Sequence, residues 1–347
     1  VVGNPPYQEE VKDWKSETNG QARRSNIFPY FQICADKLSA GYVSLIYPGG
    51  RWIHRSGKGM SEFGLKQIND KHLAKLIYYS DANEIFKDVA IADGISIVLK
   101  DKYKDTDNFS YTYSKNRILT TVQLPYPKDE LIPLNPSNGT IVDKVTKFVL
   151  NNNLSYIHDK ILSQKLFGIE SSFVEENPNK VREYTNGCNF DFETEVKLLT
   201  NDKAGKAGRA KWYITKRSNI LEGNKYIDEW QIAVSSANAG GQKRDNQITI
   251  IDNHSAFGRA RVALNSFKTE QEANNFYKYC NSNLIKFMFL MTDEALTSLG
   301  KKVPDLNDYS NDNKFIDFSK DVNSQLYKLI GLNNSEIDFI EKTVKPM

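Results

Sequence analysis

The 347-residue chain has three cysteines, Cys34, Cys188 and Cys280, too far apart for a C-x-x-C pair. A disulfide framework and a cysteine zinc site are both excluded, and a reducing, cytoplasmic setting is expected. Its four histidines (His54, His72, His158, His254) have no metal-ligand spacing, so no metal is expected. No apolar run approaches the length of a bilayer span; Tyr42 to Tyr47 and Phe287 to Met291 are among the longest. No signal peptide opens the sequence, and no membrane partner is expected. A phosphate-binding loop is missing as well, since Ser56-Gly57-Lys58-Gly59 lacks the earlier glycine and the following hydroxyl residue. Formal net charge is only +3, so any case for nucleic acid has to come from local clusters of charge.

The first hundred residues alternate strand and helix signals. Val1-Val2 reads as the end of a buried strand, broken by Gly3-Asn4-Pro5-Pro6. Ile27, Phe31, Cys34 and Leu38 predict a helix over 26–39, with Ser25 or Asn26 as its N-cap. Tyr42 to Tyr47 predicts a strand stopped by Pro48-Gly49-Gly50, followed by a helix over 61–70 and strands at 76–79 and 95–99. From 103 to 138 the pattern dissolves among Asp105, Asp107, Asn108 and Pro125 to Pro136, which reads as a crossover between domains. Beyond it, helices are expected at 140–150, 269–281, 283–298, 322–331 and 334–344, with strands at 211–216, 229–235 and 247–251. Such alternation predicts α/β architecture in the first part and α/β or α+β in the second.

Gly3-Asn4-Pro5-Pro6-Tyr7 is the string that carries chemistry. Its bland reading is a proline-rich turn after a strand. The functional reading starts from an exocyclic amino group, a poor nucleophile because its lone pair is delocalised into the ring. The Asn4 side-chain oxygen and the Pro5 carbonyl can accept both amino hydrogens, favouring a tetrahedral nitrogen with its lone pair aimed outward. Two prolines restrict the backbone so that both acceptors point one way. Tyr7 offers a flat face for a base extruded from its duplex.

The string is similar to the catalytic motif of amino-directed, S-adenosylmethionine-dependent methyltransferases, which act on DNA adenine, ribosomal RNA or protein glutamine. Leu38 to Pro48 resembles the helix-then-strand segment that follows this motif in DNA adenine methylases. Asn83 to Gly94 resembles their later motif, with Phe86 where an aromatic ring packs on the flipped adenine; the alternative for Phe86 is a core residue between strands. Leu326 to Leu332 and Ser335 to Glu341 resemble the tail of large restriction–modification methylases. The resemblance implies an adenine-N6-specific DNA methyltransferase of a bacterial restriction–modification system. Its fold would be the C-terminal part of a Rossmann-like methyltransferase sheet, followed by a target-recognition domain. The implied domains are 1–125, a partial catalytic domain, and 126–347, a recognition domain with a helical tail. Asn4, Pro5 and Tyr7 would be catalytic, with Pro6 and Phe86 against the base.

One departure matters. The family's cofactor motif, a strand ending in a Phe-x-Gly-x-Gly turn, has no counterpart here; Pro48-Gly49-Gly50 and Ala239-Gly240-Gly241 have the wrong pattern. The cofactor is expected to be S-adenosylmethionine, as co-substrate, but no residue of this chain is assigned to it. Since the chain opens at Val1-Val2-Gly3, it reads as a segment of something longer. The expected partners are double-stranded DNA, an upstream methyltransferase half, and a nuclease domain or subunit of the kind such systems carry. For DNA, the candidate contacts are Lys203, Lys206, Arg209 and Lys211 in a glycine-punctuated loop, and Lys243 and Arg244 after Gly240-Gly241. Arg259 and Arg261 lie near a third turn. For any of these, the plain alternative is a solvated surface loop. Glu195-Val196-Lys197 resembles the end of a nuclease site, but Asp191 and Glu193 stand too close to complete one. Two other classes remain open: a DNA-binding specificity module with no activity of its own, and an RNA or protein-glutamine methyltransferase. The long chain after Tyr7 argues against the latter.

Overall fold

Inward-facing apolar residues alternate along the strands of the first hundred residues, and that alternation sets the sheet. The structure is a computed structural model that describes residues 1–10, 24–56, 59–87, 91, 93–185, 188–205, 208–235, 248–292 and 298–344. It forms two compact units, Val1–Thr140 and Ile141–Met347, so residues 126–140 stand with the first.

In the first unit the order is β1 (Val2–Gly3), β2 (Gln8–Glu10), β3 (Arg24–Asn26), α1 (Phe28–Leu38), β4 (Tyr42–Pro48), α2 (Met60–Ile68), β5 (Leu73–Tyr79), β6 (Ile95–Asp101), β7 (Asn108–Lys115) and β8 (Ile118–Pro125). Six of these strands make one sheet, in the order β1-β4-β6-β5-β7-β8. β1 pairs parallel to β4 and β5 parallel to β7, while β6 runs antiparallel between β4 and β5. The strands β1, β4, β5 and β7 therefore all point one way, and their carboxyl ends share one edge. Val43, Leu45 and Tyr47 turn inward from β4, meeting Phe28 of α1, Phe63 of α2 and Trp52. Phe28 lies 5.0 Å and Trp52 5.4 Å from the Tyr47 ring, centroid to centroid.

Three expectations need correction. The first turn of α1 is capped by Ile27, not Ser25 or Asn26, and no side chain caps it; Pro29, whose missing N–H costs nothing in a first turn, opens the helix instead. Residues 103–138 do not dissolve into a crossover, because β7 and β8 form an antiparallel hairpin there. Its two-residue turn places Asn116 and Arg117 at positive φ, +52° and +63°, the hand that matches strand twist. In the second unit, the helix expected over 283–298 ends at Phe289.

Lys100, 3% exposed, bonds Asp36 at 2.9 Å and Asp70 at 2.7 Å. Burial works to raise the Asp70 pKa but is outweighed by the hydrogen bond and charge of Lys100, helped by the His72 amide, so the carboxyl titrates below its ordinary value. A carboxylate lowered in the folded state contributes stability above its unfolded pKa, about 3.9, and loses it as pH falls through the folded value. The melting temperature of the protein should therefore drop below about pH 4. Asp70→Asn should flatten that drop in a series of melts; an unchanged acid limb would remove Asp70 as its source.

The second unit continues with α3 (Gly139–Asn151), β9 (Ser155–Tyr156), α4 (Phe173–Glu176), β10 (Val181–Glu183), β11 (Glu195–Asn201), β12 (Ala210–Lys216), α5 (Asn224–Ile227), β13 (Trp230–Ser235), β14 (Ile248–Ile251), β15 (Ser255–Phe257) and β16 (Arg261–Phe267). It closes with α6 (Glu270–Asn281), α7 (Asn283–Phe289), β17 (Pro304–Asp305), α8 (Val322–Ile330) and α9 (Asn334–Val344). One sheet runs β10-β12-β11-β15 and another β14-β13-β16. The second sheet serves two cores: Ile232, Val234, Val262 and Leu264 face the helices, while Ala233 and Ala263 face the first sheet. The chain is thus mixed α/β in both units.

Candidate active site and basic hairpin

The Asn-Pro-Pro-Tyr string begins where β1 ends. Val2 and Gly3 are in register with Ser44 and Leu45, and the Val1 amino group donates to the Tyr42 carbonyl at 2.8 Å. Asn4 is exposed and Pro5 buried, so the second residue anchors the turn while the first offers its amide outward. No hydrogen bond ties the Asn4 side chain to another described residue. Pro6 is exposed. Tyr7 is half-buried against the aromatic core, and its carbonyl accepts from the Ile27 amide at 3.0 Å, fixing the exit of the turn to the start of α1. Its phenol oxygen is buried with no hydrogen-bond partner among the described residues, and burial pushes its pKa up.

Two further loops reach the same carboxyl edge. After β4, Gly49 to Ser56 folds back onto the core: Trp52 Nε1 donates to Ser96 Oγ at 2.7 Å, and buried His54 meets the Ile132 carbonyl at 3.2 Å. Asp93 Oδ2 accepts from the amides of Gly50 and Arg51, both at 3.1 Å, joining this loop to the one before β6. After β5, Asp81 accepts from Asn83 through both amide groups, and a single 3-10 turn over Ala82–Glu84 leads to Phe86. The Phe86 amide closes the turn on the Ala82 carbonyl at 2.9 Å. Phe86 is half-buried and does not join the core cluster of the unit. The fold thus brings Asn4, Pro5, Pro6, Tyr7 and Phe86 to one edge, where ligands of parallel α/β sheets commonly sit. Sequence reasoning missed the Asp93 clamp. Its only signal was the Pro-Gly-Gly turn that needs one.

Does this edge also suit S-adenosylmethionine? A glycine turn that cradles a ligand leaves open space where a Cβ would be. At Gly49 that space is filled by the Asp93 carboxyl, 2.2 Å from an ideal Cβ, and at Gly50 by the Tyr78 ring at 3.1 Å. The turn is packed by its own chain. These residues do not fit the cofactor.

In the second unit β11 and β12 form a hairpin, in register from Glu195↔Lys216 to Asn201↔Ala210. Glu195-Val196-Lys197 lies on β11, with Glu195 bonded to Arg182 at 2.7 Å and Lys197 paired with Asp252. Its polar groups are spent on structure. Lys203, Arg209 and Lys211 are exposed at the hairpin's tip. Asp202 organises that tip, accepting from the Arg209 amide at 2.8 Å and standing 3.9 Å from the Lys211 ammonium. The Arg209 amide and nearby lysines keep the Asp202 carboxyl below its usual pKa. Lys206, Lys243 and Arg244 lie outside the described residues. Arg259 is paired with Glu170 at 2.9 Å.

Among the described residues no group of three or more His, Cys, Asp or Glu could hold a metal ion, and no helix is long and apolar enough to cross a membrane.

Residues 1–86 match the model of the Eco57I restriction-modification methylase family. No curated protein matches the chain. Among solved structures, the type IIL restriction-modification enzyme MmeI in complex with DNA is 9% identical, over 86% of this chain and 44% of its own, with a TM-score of 0.42. The type IIG restriction endonuclease BpuSI is 9% identical over 93% of this chain and 45% of its own, TM-score 0.29. A type I restriction–modification system assembly is 14% identical over 42% and 29%, TM-score 0.24. The chain spans less than half the length of each of these.

Proposed function

We propose that this chain, whose first 86 residues match a restriction–modification methylase family, is the acceptor-binding part of a site-specific DNA adenine-N6 methyltransferase. The observation that carries the reading is the position of Asn4-Pro5-Pro6-Tyr7 at the carboxyl end of a parallel strand, with Asn4 exposed and Pro5 buried. In this reading the first unit, Val1–Thr140, serves catalysis and the second, Ile141–Met347, target recognition.

Asn4 Oδ1 and the Pro5 carbonyl each accept one hydrogen of the adenine amino group. With both N–H bonds held, the nitrogen lone pair is localised and points away from the ring. No base has to remove a proton before this nitrogen can act as a nucleophile. Tyr7 and Phe86 stack on the extruded base, and Pro6 closes the turn against it. The methyl donor in this reading is S-adenosylmethionine, and the glycine turn at this edge, filled by Asp93 and Tyr78, does not hold it. We assign its binding to the upstream half that the motif pattern implies, working with double-stranded DNA as the other partner.

The test is direct. The full-length protein, given labelled S-adenosylmethionine and duplex DNA, should place label in N6-methyladenine when the DNA is digested to nucleosides. Label in RNA or in protein glutamine, or DNA binding with no label transferred, would sink the reading.

For recognition, the hairpin tip supplies phosphate contacts. Replacing Lys203, Lys206, Arg209 and Lys211 by Ala should weaken binding to every DNA sequence and lower the slope of affinity against salt by roughly one unit per lost contact. Lys211 should contribute least, since Asp202 already stands 3.9 Å from it. Equal slopes for the variant and the parent protein would return this tip to solvent.

A further inference from the structure

Glu84 follows Asp81 and Ala82 in the turn after β5, two residues before Phe86, and is half-buried. Ser114 Oγ, fully buried at the end of β7, donates to Glu84 Oε2. The other oxygen, Oε1, is buried with no hydrogen-bond partner among the described residues. The Ser114 bond ties the turn to β7. Ser114 is itself fixed from the strand beside it: the Ser80 amide and hydroxyl both donate to the Ser114 carbonyl, at 3.1 and 3.0 Å. Tyr79 and Ser114 are parallel partners in the sheet, so β5, the turn and β7 are joined at a single point.

We propose that Glu84 is a positioning residue for the adenine pocket, acting through Phe86. Within the turn, the Phe86 amide is bonded to Ala82, and the Glu84 amide to the Asp81 carbonyl. These local bonds fix the turn's shape; its place on the fold is set by the buried Ala82 and by the Glu84 side chain. Only the Glu84–Ser114 bond crosses from the turn's side chains to β7 among the described contacts. Without it the turn keeps its form and the Phe86 ring loses its fixed position over the carboxyl edge. The inference rests on the stacking role given to Phe86 above, and its test separates the two.

A fluorescent base analogue at the target position of duplex DNA should brighten when the full-length protein extrudes it. Phe86→Ala should weaken binding of that DNA by a factor between about 5 and 150, the range one base–aromatic contact supplies, and dim the signal. Glu84→Ala should dim it comparably and raise the KM for DNA more than it lowers kcat. Glu84→Gln, whose amide oxygen can still accept from Ser114, should restore most of it. In the Phe86→Ala background, Glu84→Ala should add nothing further. If Phe86→Ala dims the signal and Glu84→Ala does not, or if the two losses add, Glu84 does not act through Phe86 and the proposal is wrong. If Phe86→Ala itself leaves the signal unchanged, the stacking role fails first and Glu84 has nothing to position. Should Glu84→Ala fail to fold, Ser114→Ala removes the same bond from the β7 side and is held to the same outcomes.

Discussion

In the full-length protein, Asn4→Ala should cut methyl transfer by a factor of about a hundred to a thousand, while duplex DNA is bound as tightly as before. The magnitude is that of removing one aimed hydrogen-bonding group from a reacting centre. Binding should be spared because, in the proposed role, Asn4 meets only the amino group of the extruded base, whereas affinity for a duplex comes mainly from phosphate contacts. Asn4 is exposed and makes no side-chain hydrogen bond to another described residue, so its loss leaves no buried group unpaired. The variant should therefore melt at the parent temperature. Asn4→Asp is informative beside it: one carboxylate oxygen keeps the acceptor, and moderate activity should survive. A single-turnover assay with labelled donor gives the rate, and a gel shift gives the affinity. Transfer near the parent rate in Asn4→Ala would take the acceptor role away from this side chain.

The second large effect is on stability. Gly94 lies just before β6 at φ +68°, and an ideal Cβ there would stand 2.0 Å from the Tyr79 carbonyl oxygen. That oxygen belongs to backbone of a central strand and cannot step aside. The Gly94 carbonyl also accepts from the Gly49 amide at 2.8 Å, so the segment is held from the side of β4 too. Gly94→Ala combines a disfavoured backbone conformation with a backbone collision. About 3 kcal/mol or more of unfolding free energy should be lost. Gly59 is the control: its φ is +78° and, among the described residues, nothing lies within 4 Å of its added Cβ. Gly59→Ala then carries the conformational cost alone, about 1–2 kcal/mol. Urea unfolding of the two variants separates collision from conformation. Equal losses would mean that the strand ends shift to admit a methyl group.

Much of the first unit was legible because its pattern is local. The alternation along β4 declares itself within a dozen residues, and so does the existence of α1, but not the face it buries: Phe31, Cys34 and Leu38 are exposed, and Phe28, Gln32 and Ala35 are the buried side. The β7–β8 hairpin escaped for a physical reason. Ser, Thr and Asn fill its polar positions and its turn is Asn116-Arg117, without the glycine that usually marks such a turn. The signal was nevertheless present, since Phe109, Tyr111 and Tyr113 alternate and all three are buried. At the candidate site, Asn4 and Tyr7 stand in one string and can be read directly. Glu84 and Ser114 cannot. They lie 30 residues apart and meet only because β5 and β7 run in parallel register, which no local pattern encodes. The basic hairpin shows the same limit: Lys203 and Arg209 are visible in the sequence, but the carboxylate that organises them is one more acidic residue until β11 and β12 are paired.

The three-stranded sheet of the second unit has a consequence of its own. β13 and β16 give their larger side chains to the helical core and their alanines to the core beneath the other sheet. A wall shared in this way makes the two cores tenants of one structure. Neither can come apart without stripping the other of a face, so no cut between them would leave two self-sufficient fragments. The β11–β12 tip, which lies beyond both cores, is under no such obligation. Its described residues belong to neither core, so they can be exchanged while the wall behind them keeps its shape.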